Sequence, residues 1–368
     1  MDDRTHTPDT RAGTPFSWYV SCGMPAYAEL AGVPYDRTFY DADAIIQAYT
    51  VGYPRAVALF GSEVRYSGPG WSGISYGHVN CLGSPLRFPE GSDVAHSPIH
   101  NTLDTGIRAL QQPVEWASAG LMPDYLTLWQ KLKDAFPDLP IRFAGFGVEG
   151  PVTTAWELRG HDFFTDIYDN PERLKDYLTL VTASVVDYMV FQRQVNGEPA
   201  FLDTTVGMVD DISALIHPRL WGEFVLPYHQ AYFKSQTTGR RHAHIEGLVP
   251  KHLPYLDALK LDDFDPSVSP TLRPEDIRDG CSVPFWWRIN AMHFRDYSLE
   301  KVRDFVYNAV AGGASGVFAS VGRIMTSAEA AFKLKVFMHA AQHVEALLHQ
   351  DIAPDQVAEH RLPIKQYG

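Results

Sequence analysis

Basic residues are in short supply in this chain of 368: 31 Lys and Arg stand against 44 Asp and Glu, a net charge of −13. A surface of that sign disfavours broad contact with nucleic acid or anionic membrane, both of which reward positive charge. Cysteine is scarcer still. Cys22, Cys81 and Cys281 are too few and too widely spaced for a disulfide framework or a CxxC metal knot. They fit a reducing compartment, where each reads as a small buried apolar side chain. No run approaches about 18 uncharged apolar residues, so no membrane-spanning helix is expected. The opening MDDRTHTPDTRAGTPF has acids where a secretion signal needs a basic and then an apolar stretch. A cytoplasmic protein is expected. Two catalytic signatures are also missing: no P-loop GxxxxGK followed by Ser or Thr, and no HExxH.

What is present suits a globular enzyme, with 45% hydrophobic and 20% charged residues. Residues 1–15 are polar and read as a flexible tail. Residues 16–368 read as one domain whose first part, about 16–120, is rich in Gly, Pro, Trp and Tyr. There one helix is expected, Ala42 to about Val51, because Ile45, Ile46 and Tyr49 share a face. Beyond about residue 120, short apolar runs alternate with long amphipathic ones. Strands are predicted over Ile141–Gly147, Phe201–Val206, Arg241–Ile245, Ala258–Phe264, Val283–Ile289 and Gly316–Ser320. Helices are predicted from Asp169-Asn170-Pro171-Glu172 to about Gln194, from Pro218 to about Lys234, from Ser298 to about Ala311, and from Ser327 to about His349. Strands separated by helices, with no hairpins, require crossovers and hence a parallel sheet. The expected fold is a TIM-like (β/α)8 barrel with an elaborated N-terminal segment.

Such a barrel gathers its chemistry at the C-terminal strand ends, where four groups stand out. In Arg240-Arg241-His242-Ala243-His244-Ile245-Glu246-Gly247, strand alternation points His242, His244 and Glu246 to one side at about 6.6 Å intervals. Two imidazoles and a carboxylate could hold zinc or another divalent metal. They could equally form hydrogen bonds within the barrel, or serve as acid and base. Asp203, Asp210 and Asp211 offer carboxylates whose proximity suits proton transfer; acceptance of backbone N–H bonds is the competing role for one of the pair. In Pro284-Phe-Trp286-Trp287-Arg288-Ile-Asn-Ala-Met-His293, Arg288 and His293 could clamp a substrate carboxylate beside Trp287. The tryptophans serve equally well as packing. Gly145-Phe-Gly147-Val-Glu149-Gly-Pro151 allows backbone to approach a ligand beside Glu149, and a tight turn explains its glycines as well.

The stretch Asp210-Asp211-Ile-Ser-Ala-Leu-Ile-His-Pro218-Arg-Leu-Trp-Gly-Glu-Phe-Val-Leu-Pro227-Tyr-His resembles the "DD…LLSPelyeeFvlPyh" segment of the uroporphyrinogen decarboxylase superfamily. His244-Ile-Glu246-Gly247 stands where many members have His-x-Cys-Gly. Leu253–Phe264 and Tyr297-Ser-Leu-Glu-Lys-Val are similar to the units that follow. The resemblance spans about residues 120–345 and implies a TIM-like barrel. True decarboxylases of the family carry an arginine-rich N-terminal motif, and Trp18-Tyr-Val-Ser-Cys-Gly-Met-Pro-Ala-Tyr27 has no arginine. The resemblance therefore points to the cobalamin-dependent methyltransferase-like branch, in which zinc activates an acceptor thiol toward a methyl-corrinoid. Here Glu246 replaces the cysteine, and no cysteine stands near Ala319-Ser-Val-Gly-Arg-Ile. A His/carboxylate set would leave the metal a stronger Lewis acid than thiolates would.

The resulting expectation is a metal-dependent enzyme transferring a methyl or other small group. His244, Glu246 and His242 would be metal ligands; Asp210, Asp211, Asp203 and His293 would be catalytic; and Glu149, Arg288 and Trp287 would bind substrate. Corrinoid is the implied co-substrate, brought by a corrinoid protein. The alternatives are a metal-independent decarboxylase or lyase using His/Asp acid–base chemistry, and a tetrapyrrole carrier without turnover.

Overall fold

The computed structural model describes residues 14–366; the tail expected over residues 1–15 lies, but for its last two residues, outside them. Among the described residues seven strands form: β1 (Ser17–Cys22), β2 (Arg65–Tyr66), β3 (Val206–Val209), β4 (Arg241–His244), β5 (Asp263–Asp265), β6 (Trp286–Ile289) and β7 (Gly316–Val321). The strands are short and the connections helical, giving a mixed α/β fold with parallel pairing. Among the described residues the eight strands of a complete (β/α)8 barrel are not all formed. No helix of the described residues is long and apolar enough to cross a membrane. The chain divides into two compact units, one of residues up to 31, 50–67 and from 244 onward, the other of residues 32–49 and 68–243.

In the first unit the sheet order is β2-β1-β7-β6, every pairing parallel. β1 runs in register with β7 from Ser17↔Gly316 to Cys22↔Val321. A parallel bridge, Phe264↔Phe285, carries the same direction to β5. β7, Gly-Val-Phe-Ala-Ser-Val, is buried at five of its six positions, as an interior parallel strand covered on both faces must be. Gly316 is required there: a Cβ would lie 2.5 Å from the Trp286 ring. Helices Leu299–Ala311 and Ala328–Leu348 pack on one another and on this sheet. Each starts at a serine whose hydroxyl accepts a first-turn N–H, Ser298 from Lys301 at 3.3 Å and Ser327 from Ala330 at 3.1 Å; such caps stabilise by about 1 kcal/mol each.

In the second unit helix Pro171–Val195 buries Leu174, Tyr177, Leu178, Val181, Val185 and Tyr188, a stripe at three- and four-residue spacing. Pro171 sits where a missing N–H costs nothing, and Glu172 faces the positive end of the helix dipole. Parallel contacts recur here as well, through Ile74↔Phe146 and Leu202↔Thr237, and through the Val206 N–H to the Arg240 carbonyl at 2.9 Å.

Several sequence expectations are corrected. The N-terminal stretch is more regular than a loop system with one helix: β1 lies inside the sheet, and helices form at Met24–Ala31, Tyr53–Phe60 and Leu103–Leu110. The run Trp18-Tyr-Val20 is good strand material, but six residues carry too little periodicity to announce it. The predicted helix over Ala42–Val51 is capped by Asp41 and widens into a π-turn from Ala48 to Gly52. The strand predicted over 141–147 reduces to one bridge at Phe146, with Gly145 at φ 91° interrupting any ladder. Those predicted over 201–206 and 258–264 form later, as β3 and β5. The helix predicted from Pro218 breaks into three pieces, because Pro227 restarts it and Val225 leaves helical geometry. All three cysteines are buried; burial pushes the Cys22 and Cys81 thiols up to about 12, which suits packing rather than chemistry.

Candidate functional site

β4 sets the alternation that the sequence implies. Ala243 and Ile245 are fully buried, while His242 and His244 are half-buried and Glu246, just past the strand, is exposed. One ring nitrogen of His244 and one carboxylate oxygen of Glu246 lie within 4.8 Å of each other, close enough to share an ion.

Behind these two stands Asp265, the last residue of β5, only 4% exposed. Its Oδ2 accepts from His244 Nδ1 at 2.8 Å and from an Arg288 terminal nitrogen at 2.7 Å. Its Oδ1 accepts the Ser267 N–H at 2.7 Å. Parallel pairing brings β4 and β5 level here, since the Ile245 N–H donates to the Asp265 carbonyl at 3.1 Å. With Nδ1–H committed to Asp265, His244 would ligate through Nε2; a carboxylate behind a histidine is the usual support of a metal-bound imidazole. Ser267 ties the two sides together, its hydroxyl donating to Glu246 Oε2 at 2.8 Å. It does so from φ 55°, a left-handed conformation costing a non-glycine residue about 1 kcal/mol.

Arg288, expected to clamp a substrate carboxylate, spends one arm on Asp265 instead. Its guanidinium lies 4.8 Å over the Phe318 ring, and its Nε is buried with no hydrogen-bond partner. Tyr19 of β1 stacks on Phe318 at 5.0 Å and packs against Trp286 at 5.5 Å. Burial raises the Tyr19 hydroxyl above its ordinary value, the negative charge of Asp265 adds to this, and Arg288 opposes it. Tyr19 is therefore a neutral O–H donor at physiological pH.

Asp210, in the second unit, has a different task. It is fully buried directly after β3. Its carboxylate accepts from Val152 N–H at 3.0 Å, Thr153 N–H at 2.7 Å, the Thr153 hydroxyl at 2.7 Å and His229 Nε2 at 2.7 Å. Two of these donors belong to the first turn of helix Pro151–Arg159, whose dipole favours a negative charge there. Gly150 lets Asp210 come this near, since a Cβ would lie 2.6 Å from it. Of the two roles open to the Asp pair, acceptance of backbone N–H bonds is the one Asp210 performs.

Asp211 is half-buried and opens the 3-10 turn Asp211–Leu215. Asp203 is exposed and precedes β3, so it sits at the opposite end of that strand from Asp210. His242 lies beside Gly207 of β3. Glu149 is half-buried just before helix Pro151–Arg159. Trp287 points away from Arg288 and lines a cavity of about 460 Å³ with Tyr297, Lys301 and Phe305. His293 stacks on Tyr297 at 4.5 Å and accepts the Asn290 N–H on Nδ1 at 3.3 Å; burial lowers its pKa.

Sequence reasoning missed Asp265, Ser267 and Tyr19. Asp265 follows a predicted strand directly, so the strand-end rule that singled out Glu246 points to it too. Ser267 and Tyr19 carry no such signal.

No family model matches the chain, nor does any curated protein. A solved structure described as a methyltransferase from Methanosarcina mazei aligns over 90% of this chain and 94% of its own, with a TM-score of 0.64 and 16% identity. The two share a fold.

Proposed function

We propose that this chain is a metal-dependent enzyme of the uroporphyrinogen decarboxylase superfamily, on a TIM-like barrel. It would transfer a methyl or other small group from a donor to an acceptor. The shared fold with a methyltransferase supports the reaction class. One observation carries the metal: His244 is held by Asp265 through Nδ1, with a Glu246 oxygen within 4.8 Å of one of its ring nitrogens. An N/O donor set of this kind suits zinc or a similar divalent ion. Such an ion, when bound, supplies Lewis acidity toward an acceptor oxygen, thiol or water. Asp265 fixes the His244 tautomer, Ser267 aims Glu246, and Arg288 balances the charge of Asp265. Tyr19 offers a neutral hydroxyl on the same side of the sheet as Trp286 and Phe318. The reading carries with it a cytoplasmic location, a small-molecule substrate and a corrinoid co-substrate delivered by a partner protein.

Metal analysis of protein expressed with supplemented zinc tests it. About one equivalent is expected, falling with His244→Ala; under about a tenth of an equivalent overturns the reading, given the usual tightness of such sites.

A second reading rests on the same pair. His244 backed by Asp265 is also an acid–base dyad, which would serve a metal-independent decarboxylase or lyase. Turnover that survives chelation but not His244→Ala would select it.

A further inference from the structure

Trp287 is the member of its strand face that the first unit leaves uncovered. Alternation along β6 puts it on the side of Phe285 and Ile289, both fully buried, whereas Trp287 is half-buried. The space beside it is a cavity of about 460 Å³, within the size range of small-molecule sites. Helix Leu299–Ala311 turns Lys301, Asp304, Phe305 and Asn308 toward that cavity, one face at three- and four-residue spacing. At Gly312 a Cβ would lie 2.6 Å from the Pro274 side chain, so the first turn of helix Pro274–Gly280 closes one end. Tyr297 adds to the wall, braced by His293, which stacks on it at 4.5 Å. Three half-buried rings, Trp287, Tyr297 and Phe305, thus share one cavity.

Most of the charges around these rings are already matched. Asp304 lies 2.8 Å from Arg303 and 3.3 Å from Arg361. Arg273 donates twice to Asp276, at 3.2 and 3.1 Å. The charge of Glu275 acts on Arg273 and Arg278, behind their own aspartates Asp276 and Asp279. Lys301 differs. Its ammonium stands 5.6 Å from the centre of the Tyr297 ring and has no carboxylate partner among the described residues. A cation without a counter-charge, at the edge of an aromatic wall, suits an anion carried on a flat ring. The ring gains from burial against the indole, and the anion gains from the ammonium.

We propose that Trp287, Tyr297, Phe305 and Lys301 form a binding site for a small aromatic carboxylate, its ring against Trp287 and its carboxylate on the Lys301 ammonium. Trp287 and Arg288 take opposite faces of β6, so the site lies across the sheet from Asp265. It is built from one unit and stands independently of the metal reading.

Calorimetric titration of the full chain, before and after EDTA treatment, tests this with indole-3-acetate, its neutral amide indole-3-acetamide, and hexanoate, a carboxylate without a ring. Indole-3-acetate is expected to saturate below about 5 mM. The amide should bind about three- to fivefold more weakly, as one exposed ion pair allows, and hexanoate at least about tenfold more weakly. Lys301→Gln, a change on an exposed side chain, should bring acid and amide to equal affinity and leave the amide unchanged. Trp287→Leu should weaken both at least about tenfold. EDTA should change nothing, so failure of the metal reading leaves this site standing. No saturation by indole-3-acetate below about 5 mM, equal affinity for acid and amide, a preference for the acid that survives Lys301→Gln, or loss of binding on EDTA treatment would each overturn the proposal.

Discussion

The Ser267 hydroxyl donates to Glu246 at 2.8 Å from a backbone held at φ 55°. Its N–H meanwhile donates to Asp265, the carboxylate that orients His244. One strained residue thus sets the positions of both proposed ligands. Strain of this kind persists where surrounding structure over-determines it, commonly at functional sites.

Ser267→Ala should therefore lower affinity for a divalent ion about 10-fold or more, in the range of supporting-shell losses, with the fold intact. Ser267→Gly should lower affinity similarly while relieving about 1 kcal/mol of backbone strain. Competition against a chromophoric chelator, with melting temperatures alongside, reads both effects. Unchanged affinity in both variants would remove Ser267 from the site.

Asp265→Asn replaces a charge that faces His244 and Arg288 at 2.8 and 2.7 Å. The amide cannot accept equally from both, and the imidazole loses its preferred tautomer. Metal content should fall about 10- to 100-fold, with about 1–3 kcal/mol of stability lost through the unpaired arginine. Metal stoichiometry and a urea midpoint measure the two separately. Full metal occupancy in this variant would contradict the assigned role.

Asp210→Ala should act on stability before chemistry. It removes four hydrogen bonds and leaves His229 and two first-turn N–H groups unpaired in a dry interior. A loss of about 3–5 kcal/mol follows for a buried carboxylate so held. Thermal unfolding is the check, and a variant melting with the wild type would show that the helix start needs no anion.

Two buried groups shape the pH dependence from opposite sides. Burial holds His78 neutral with a pKa down at about 3, so the unfolded chain takes up its proton first. The His78 contribution is complete above the ordinary histidine value and is lost as pH falls toward about 3, by up to about 1.4 kcal/mol per pH unit. Glu157 works the other way. Its raised pKa keeps the proton in the native state, so stability declines as pH rises beyond the ordinary carboxyl value. His78→Gln should flatten the acid limb of a melting-temperature profile. Glu157→Gln should flatten the alkaline limb and raise the melting temperature at pH 8. Variant profiles running parallel to the wild type would refute both assignments.

Much of this molecule is written in local pattern. Asn170-Pro171-Glu172, Ser298 and Ser327 announce three long helices, because proline placement and caps act within one turn. The alternation of His242, Ala243, His244 and Ile245 places both histidines on one face, since a strand repeats every two residues. Those features depend on neighbours in the chain. Asp265 and Ser267 gained their meaning only when β5 came level with His244, 21 residues earlier. Asp210 and Asp211 read as equivalents along the chain, yet burial against a helix N-terminus made Asp210 an anchor. Trp287 and Arg288, adjacent in sequence, parted to opposite faces of β6. Periodicity reports which side of an element a residue takes. Which partner waits on that side depends on contacts distant in the chain, and packing alone supplies those.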